Sequence, residues 1–352
     1  MVGGMTPSAV LVVGGYGAVG SAVTVALAAG RSRPVLPAGR DLARARLMAA
    51  EAGGGPGVRV DITDPAAFEK VLDEHRVGAV VLCVEPPDTE IARVCLSRGV
   101  HLVDVGASDR LLAPVEALTA LAVARGATAV LSVGVAPGLT NLLARRAHDD
   151  LGGADRLDLT VMLGAGERHG ADAVRWTLTQ LLARTPSTAA GSREVGLPGY
   201  GRRRAHPFPF SDQHTLRRTL GVPEATTRLC LDSRPLTAAL FALRRTGVLG
   251  VARHPRVLRA LTDAVTRVHV GGDGFALRAD ARLGERSAAY ALIGREQGRI
   301  TGVVAAHVTR RLLDGGLPHG VHHIDELPAL AHLAGEIPGT TLLRLRGTRV
   351  VG

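Results

Sequence analysis

Four glycines, Gly14, Gly15, Gly17 and Gly20, with Tyr16, Ala18 and Val19 between them, are spaced to hold a pyrophosphate. Gly15-x-Gly17-x-x-Gly20 follows the apolar run Ala9–Val13 and opens an alanine-rich helical stretch, Ser21–Ala29. In that setting glycines permit a tight turn, close approach of backbone to phosphate, and close packing of helix on strand. The anion would rest on free N–H groups at the helix N-terminus. The competing reading is an ordinary glycine turn, and the alternation of strands and helices that follows weighs against it.

The end of the second strand selects the dinucleotide. An Asp or Glu about 20 residues after the glycines would bind a ribose 2′-OH. Here Gly39 stands near that position and Arg40 follows, a pairing that favours a 2′-phosphate and hence NADP(H). A surface arginine is the alternative, since the adjacent Asp41 could shift the register. Asp61, after the third strand, lies near the adenine or serves as a loop or helix-capping carboxylate beside Pro65; both readings stand. Val84 and Glu85 at the end of the fourth strand, and Asp104 at the end of the fifth, are lining candidates for the ribose and nicotinamide; the alternative for Asp104 is a cap on the next turn. Cys83 reads as a small buried hydrophobe rather than a nucleophile. Pro137, Gly138 and Asn141 bracket a turn into a helix and are candidate substrate contacts. Asn141, the only asparagine, either orients a polar group or tidies the backbone.

No catalytic residue can be named from the sequence. The one lysine, Lys70, lacks a tyrosine four residues before it, which excludes the Tyr-x-x-x-Lys pair of the usual short-chain carbonyl reductases. Lys70 also falls in a crossover helix, which disfavours a Schiff base. An imine substrate eases the missing proton donor, because water can protonate it before hydride transfer. Pro318-His319-Gly-Val-His322-His323 has three histidines but fits no strong metal spacing, so no metal is expected.

The elements that must position these residues alternate through the first half: strands at Ala9–Val13, Pro34–Leu36, Val58–Val60, Ala79–Val84, His101–Asp104 and Thr128–Val133, with helices between. This predicts an α/β Rossmann domain, a doubly wound parallel sheet, over residues 1–135. From Leu151 the pattern changes to an α+β substrate and dimerisation domain, residues 136–300. Its expected elements are strands at Asp158–Leu163 and Thr226–Leu231, helices at Ala171–Arg184, Leu236–Leu249 and Pro255–Val268, and a hairpin of Phe275–Leu283 with Ser287–Arg295. Pro186–Asp212, rich in Gly, Pro and Arg, reads as a long loop. Its Arg202, Arg203 and Arg204 either pair with substrate carboxylates or form a solvated basic face.

Composition narrows the class. The chain has 352 residues, 46% of them hydrophobic, and a net charge of +10. The basic residues are dispersed and aromatics are only 3%, too few for a base-stacking platform, so nucleic acid is not an expected partner. No apolar run approaches the ~20 residues of a membrane span. The N-terminus shows no charged leader region, and three cysteines without Cys-x-x-Cys spacing fit a reducing cytoplasm.

Val13-Gly-Gly-Tyr-Gly-Ala-Val-Gly20, Ala38-Gly-Arg40, Cys95-Leu-Ser-Arg-Gly-Val-His-Leu-Val-Asp104, Gly134-x-x-Pro-Gly138 and Gly320-Val-His-His-Ile-Asp-Glu326 together resemble the saccharopine dehydrogenase family in its shorter bacterial form. The resemblance implies NADP(H), a central substrate domain, and a C-terminal segment, residues 301–352, returning to the nucleotide domain. It also implies reductive condensation of an amine and a carbonyl as one activity. The leading expectation is a cytoplasmic, homodimeric NADP(H)-dependent oxidoreductase reducing a C=N bond of an amino-acid-derived small molecule. The alternatives are a trans-acting enoyl (C=C) reductase on a carrier-bound substrate and a non-catalytic NADP(H)-binding protein.

Overall fold

Runs of β-branched and aliphatic residues bounded by glycine and proline give the first strands, and strands buried on both faces need no polar alternation. β1 (Ala9–Val13) and β2 (Val35–Gly39) are buried along their whole length. β3 (Val58–Arg59), β4 (Val77–Leu82), β5 (His101–Asp104) and β6 (Thr128–Leu131) complete the series. Between them run α1 (Ala18–Ala28), α2 (Leu42–Ala52), α3 (Pro65–Glu74), α4 (Glu90–Ser97), and the pair α5 (Asp109–Glu116) and α6 (Thr119–Ala124). The computed structural model describes residues 8–167, 171–182, 191–246, 254–267 and 271–345. It divides the chain into two units, residues 1–134 with 301–330, and residues 135–300 with 331–352.

In the first unit every strand pairing is parallel. The first six strands lie in the order β6-β5-β4-β1-β2-β3, which reverses direction between β1 and β4, the crevice where such sheets bind ligands. Phe68, Leu72, Ile91, Leu96, Leu102 and Leu112 pack the helices onto the sheet, each worth about 1.5–3 kcal/mol on full burial.

The second unit begins with the irregular turn Val135–Leu139 and α7 (Thr140–Asp149), followed by β7 (Arg156–Leu163) and α8 (Ala171–Leu182). The stretch read as a loop contains a hairpin, β8 (Arg193–Leu197) and β9 (Gly201–Pro207). α9 (Asp212–Thr219), β10 (Glu224–Leu231), α10 (Arg234–Thr246) and α11 (Pro255–Arg267) follow. The hairpin β11 (Gly274–Leu283) and β12 (Arg286–Arg295) turns at Gly284, whose φ of 55° suits glycine. α12 (Gln297–Leu313), β13 (Gly320–His323), α13 (Leu333–Glu336) and β14 (Thr340–Leu345) close the chain. The second unit's sheet is mixed, ordered β14-β12-β11-β7-β10-β9-β8, with β7 and β10 parallel. Buried in it, Asp158 accepts from Arg228 at 2.7 Å, Arg156 at 2.9 Å and Arg193 at 3.0 Å.

Three expectations are corrected. The first sheet has a seventh strand, because β13 pairs with β6 from the far end of the chain. The 301–352 segment is divided: residues 301–330 go with the first unit, while β14 leaves it to pair with β12. Pro186–Asp212 is not a loop where it is described; Val195, Leu197 and Ala205 bury one face of the β8–β9 hairpin. The expected helix ends at Ala183–Arg184, Gly247–Leu249 and Val268 lie outside the described residues.

Candidate functional site

The glycine turn is tight for reasons that can be read atom by atom. Gly14 has φ 78°, and a Cβ there would meet Val84 Cγ1 at 2.6 Å. A Cβ on Gly15 would lie 2.8 Å from Pro37 Cα, and one on Gly20 would lie 2.1 Å from the Gly14 carbonyl oxygen. These three glycines shape the turn. Gly17 differs: its φ of −81° and ψ of 178° suit any residue, and a Cβ would meet only the Gly14 carbonyl oxygen, at 3.1 Å. Gly17 caps α1 with no side-chain hydrogen bond, and the first turn of α1 has no acidic residue. Gly17 and Ala18 are exposed, while Tyr16 and Val19 are half-buried. The helix therefore presents its N-terminal N–H groups and positive dipole end with no acid in that turn to neutralise them, a fit to a pyrophosphate.

At the end of β2, Gly39 leaves room for Tyr16: a Cβ there would be 2.4 Å from the Tyr16 hydroxyl oxygen. That hydroxyl accepts the Asp41 N–H at 3.0 Å. The Asp41 carboxylate accepts the Arg44 N–H at 3.1 Å and caps α2, so the carboxylate next to Arg40 is committed to the helix. The Arg44 guanidinium lies 4.7 Å from the Tyr16 ring centroid and donates to the Tyr16 carbonyl. Arg40 is exposed beside this group. Sequence reasoning missed Arg44; the available signal was a basic residue in a helix's first turn, where the dipole favours an acid. Asp61 accepts from Thr63 N–H at 3.0 Å and Thr63 Oγ1 at 2.8 Å, which together with Arg40 and Arg59 hold its carboxyl below the usual range. It sits in the loop before α3, whose cap is Asp64, which accepts the Ala67 N–H.

Beyond β4, the Glu85 carboxylate lies 3.8 Å from Arg110 Nη2, both exposed. Burial, reinforced by Asp104, pushes the Cys83 thiol up to about 12, so it stays a thiol at neutral pH. Asp104 is only 5% exposed. Burial raises its carboxyl from 3.8 to about 6, against the pull of the Gly106 N–H and of His323 and with a further push from Glu85. Gly106 N–H donates to Asp104 Oδ1 at 2.6 Å.

On the neighbouring strands, Ser132 follows β6 with φ 57°, a conformation that costs a non-glycine residue about 1 kcal/mol or more. Its hydroxyl lies 2.9 Å from His323 Nδ1, and His323 Nε2 lies 2.9 Å from Glu116 Oε1. Ser132 and His323 are buried and Glu116 is half-buried. Nothing in the local sequence joins these three.

The first unit thus brings together the glycine turn, Arg40, Arg44, Val84, Glu85 and Asp104 at the carboxyl edge of one sheet. Pro137, Gly138 and Asn141 belong to the second unit. There the buried Asn141 Oδ1 accepts the Gly138 N–H at 3.1 Å, in a turn where Gly138 has φ 132°. Arg202, Arg203 and Arg204 lie on β9, and the Arg202 carbonyl accepts from Arg203 and Arg234. The closing histidines do not converge: His322 contacts the His319 carbonyl, and His323 turns inward. Among the described residues no three His, Cys, Asp or Glu side chains form a metal cluster, and no helix is long and apolar enough to cross a membrane.

Residues 10–130 match the family model described as the saccharopine dehydrogenase NADP binding domain. The fold is that of an apo, L-Glu-forming saccharopine dehydrogenase from Saccharomyces cerevisiae: the TM-score is 0.67 over 96% of this chain and 100% of that one, at 17% identity. A putative short-chain oxidoreductase from Thermus thermophilus matches 36% of this chain and 81% of its own at 20% identity, with a TM-score of 0.29. Acetoin dehydrogenase from Enterobacter cloacae matches 36% and 73% at 14% identity, with a TM-score of 0.31. No curated protein matches by sequence.

Proposed function

We propose, for a chain that is saccharopine dehydrogenase-like in its nucleotide-binding domain and its fold, an NADP(H)-dependent oxidoreductase that reduces a C=N bond of an amino-acid-derived substrate. The observation that carries the cofactor is the end of β2. Its glycine accommodates Tyr16, its neighbouring Asp41 is spent as a helix cap, and Arg40 and Arg44 are left as the charged groups for a 2′-phosphate. Guanidinium forks suit phosphate oxygens. Gly14, Gly15, Gly17 and Gly20 with the N–H groups of α1 would hold the pyrophosphate, and Val84, Glu85 and Asp104 would line the nicotinamide half. When bound, the nucleotide supplies the hydride. The protein's part is to orient it, exclude water and manage one proton. The C=N reading is supported by the missing Tyr-x-x-x-Lys pair and by the fold shared with the L-Glu-forming saccharopine dehydrogenase of Saccharomyces.

The test is a fluorescence titration of the purified chain with NADPH and NADH, on wild type and on the double variant Arg40→Asp, Arg44→Ala. Two charge-assisted hydrogen bonds at about 1.5 kcal/mol each correspond to a loss of about 100-fold in NADPH affinity. NADH affinity should change by less than about threefold, since it lacks the group these residues hold. Equal losses for both nucleotides would remove the 2′-phosphate role. Turnover of NADPH with amine and 2-oxo acid mixtures, and none with the 2-oxo acid alone, is the expected substrate pattern. Turnover with the 2-oxo acid alone would overturn the C=N reading.

A further inference from the structure

The nucleotide reading gives the buried Asp104 a place beside the cofactor but no chemistry. Asp104 ends β5, on the half of the sheet across the β1–β4 reversal from β2, where the nicotinamide half of a dinucleotide lies. One carboxyl oxygen is anchored by the Gly106 N–H; the other has no hydrogen-bond partner among the described residues. The groups that face this carboxyl are Cys83 and Glu85 after β4 and His323 at the end of β13. His323 is held between Glu116 and Ser132 and cannot turn to take the free oxygen without breaking both hydrogen bonds. A buried carboxyl with one anchored and one free oxygen is a proton carrier fixed in place.

We infer that Asp104 faces the nicotinamide ring and that its proton is coupled to the charge of that ring. The inference rests on the proposed NADP(H) site. Beside the neutral reduced ring the carboxyl keeps its proton, because burial favours the uncharged form. Beside the cationic oxidised ring it gives the proton up, because an opposite charge within ~4–6 Å lowers a carboxyl pKa by about 1–3 units. The nucleotide, when bound, would supply hydride to the carbon of the C=N bond, whose π pair would pass to nitrogen. Nitrogen takes the proton that Asp104 releases. The products would be an amine, a carboxylate and an oxidised ring of charge opposite to that carboxylate. The proton is therefore offered when hydride departs rather than before.

The experiment is calorimetric titration of the full chain with NADP+ and, separately, NADPH at pH 6. Each titration is run in MES and in imidazole, whose ionisation heats differ, so that the two runs give the protons released. The nucleotide's 2′-phosphate titrates near 6 as well, but it is common to both forms and cancels in their difference. Wild type should release about 0.4 proton more per site on binding NADP+ than on binding NADPH, as expected for a carboxyl near half-protonation that is driven down by about one unit or more. The difference should vanish at pH 8 and in Asp104→Asn, whose NADP+ affinity at pH 6 should fall by about fivefold or more because the carboxylate that the cationic ring favours is gone. Equal proton counts for the two nucleotides, or a difference that is flat from pH 5.5 to 8, would overturn the inference and leave the nucleotide site standing. So would a difference that persists in Asp104→Asn. Absence of binding by either nucleotide would overturn the site itself and the inference with it. The wild-type pH series decides the question even if the variant does not fold.

Discussion

Gly17→Ala separates a ligand-binding turn from an ordinary glycine turn. In the free protein the substitution is nearly neutral. The backbone is already extended, and the new Cβ meets one oxygen at 3.1 Å, so the turn must give by a few tenths of an ångström. Reduced unfolded-state entropy favours alanine by about 0.4–1 kcal/mol, while the N-cap position favours glycine by roughly the same amount. The net change should lie within about 1 kcal/mol, or about 2–4 °C in Tm for a domain of this size. Apart from that oxygen the Cβ meets open space at the exposed N-terminus of α1, where the pyrophosphate is proposed to rest. Pushing the pyrophosphate away forfeits two N–H bonds to a charged group, at about 1.5–3 kcal/mol each. The NADPH affinity should fall at least about 100-fold. Gly20→Ala is the comparator: with 2.1 Å to the Gly14 carbonyl oxygen, the turn itself must open, and overpacking of this kind costs about 1–3 kcal/mol or more. Thermal melts with and without nucleotide, followed by titration, read both quantities. A Gly17→Ala protein that binds NADPH like wild type would refute the pyrophosphate assignment. One that melts as low as Gly20→Ala would show that this glycine serves the turn rather than the ligand.

Two further outcomes follow from buried charges. Asp104, raised by burial from 3.8 to about 6, binds its proton more tightly folded than unfolded. Its contribution is greatest below pH 3.8 and is lost as pH rises through about 6. Relative to Asp104→Asn, nucleotide-free wild type should therefore lose about 2–3 kcal/mol of stability between pH 4 and pH 7; parallel urea-denaturation curves for the two proteins would contradict this. Asp158→Ala strands Arg228, only 3% exposed, beside an empty site in the second unit. The expected cost is about 3–5 kcal/mol with NADPH affinity unchanged within about twofold, and a loss below 1 kcal/mol would mean the pair is screened by water.

Local rules made the nucleotide half legible. A glycine turn and a strand of β-branched residues depend on neighbours a few positions away, which is why the glycine turn and the first six strands could be read directly. The same rules failed at β8 and β9. There Gly199 and Gly201, at φ 76° and 69°, belong to the hairpin turn, and Arg202–Arg204 hide the buried face behind charge. Arg44 was overlooked because its value comes from stacking on Tyr16, 28 positions earlier.

The sequence by itself determined that a parallel sheet would carry a glycine turn, and that an arginine rather than a carboxylate would follow β2. Those features are written in residue type and spacing. Only the tertiary structure decided that residues 301–330 would join the first unit while β14 joined the second. It alone brought His323 to Ser132 and Glu116, across separations of 191 and 207 residues, and made Asp104 a buried acid. Strand partnership at a sheet edge and the desolvation of a carboxyl are set by what packs against them from elsewhere in the chain, and no local pattern encodes that.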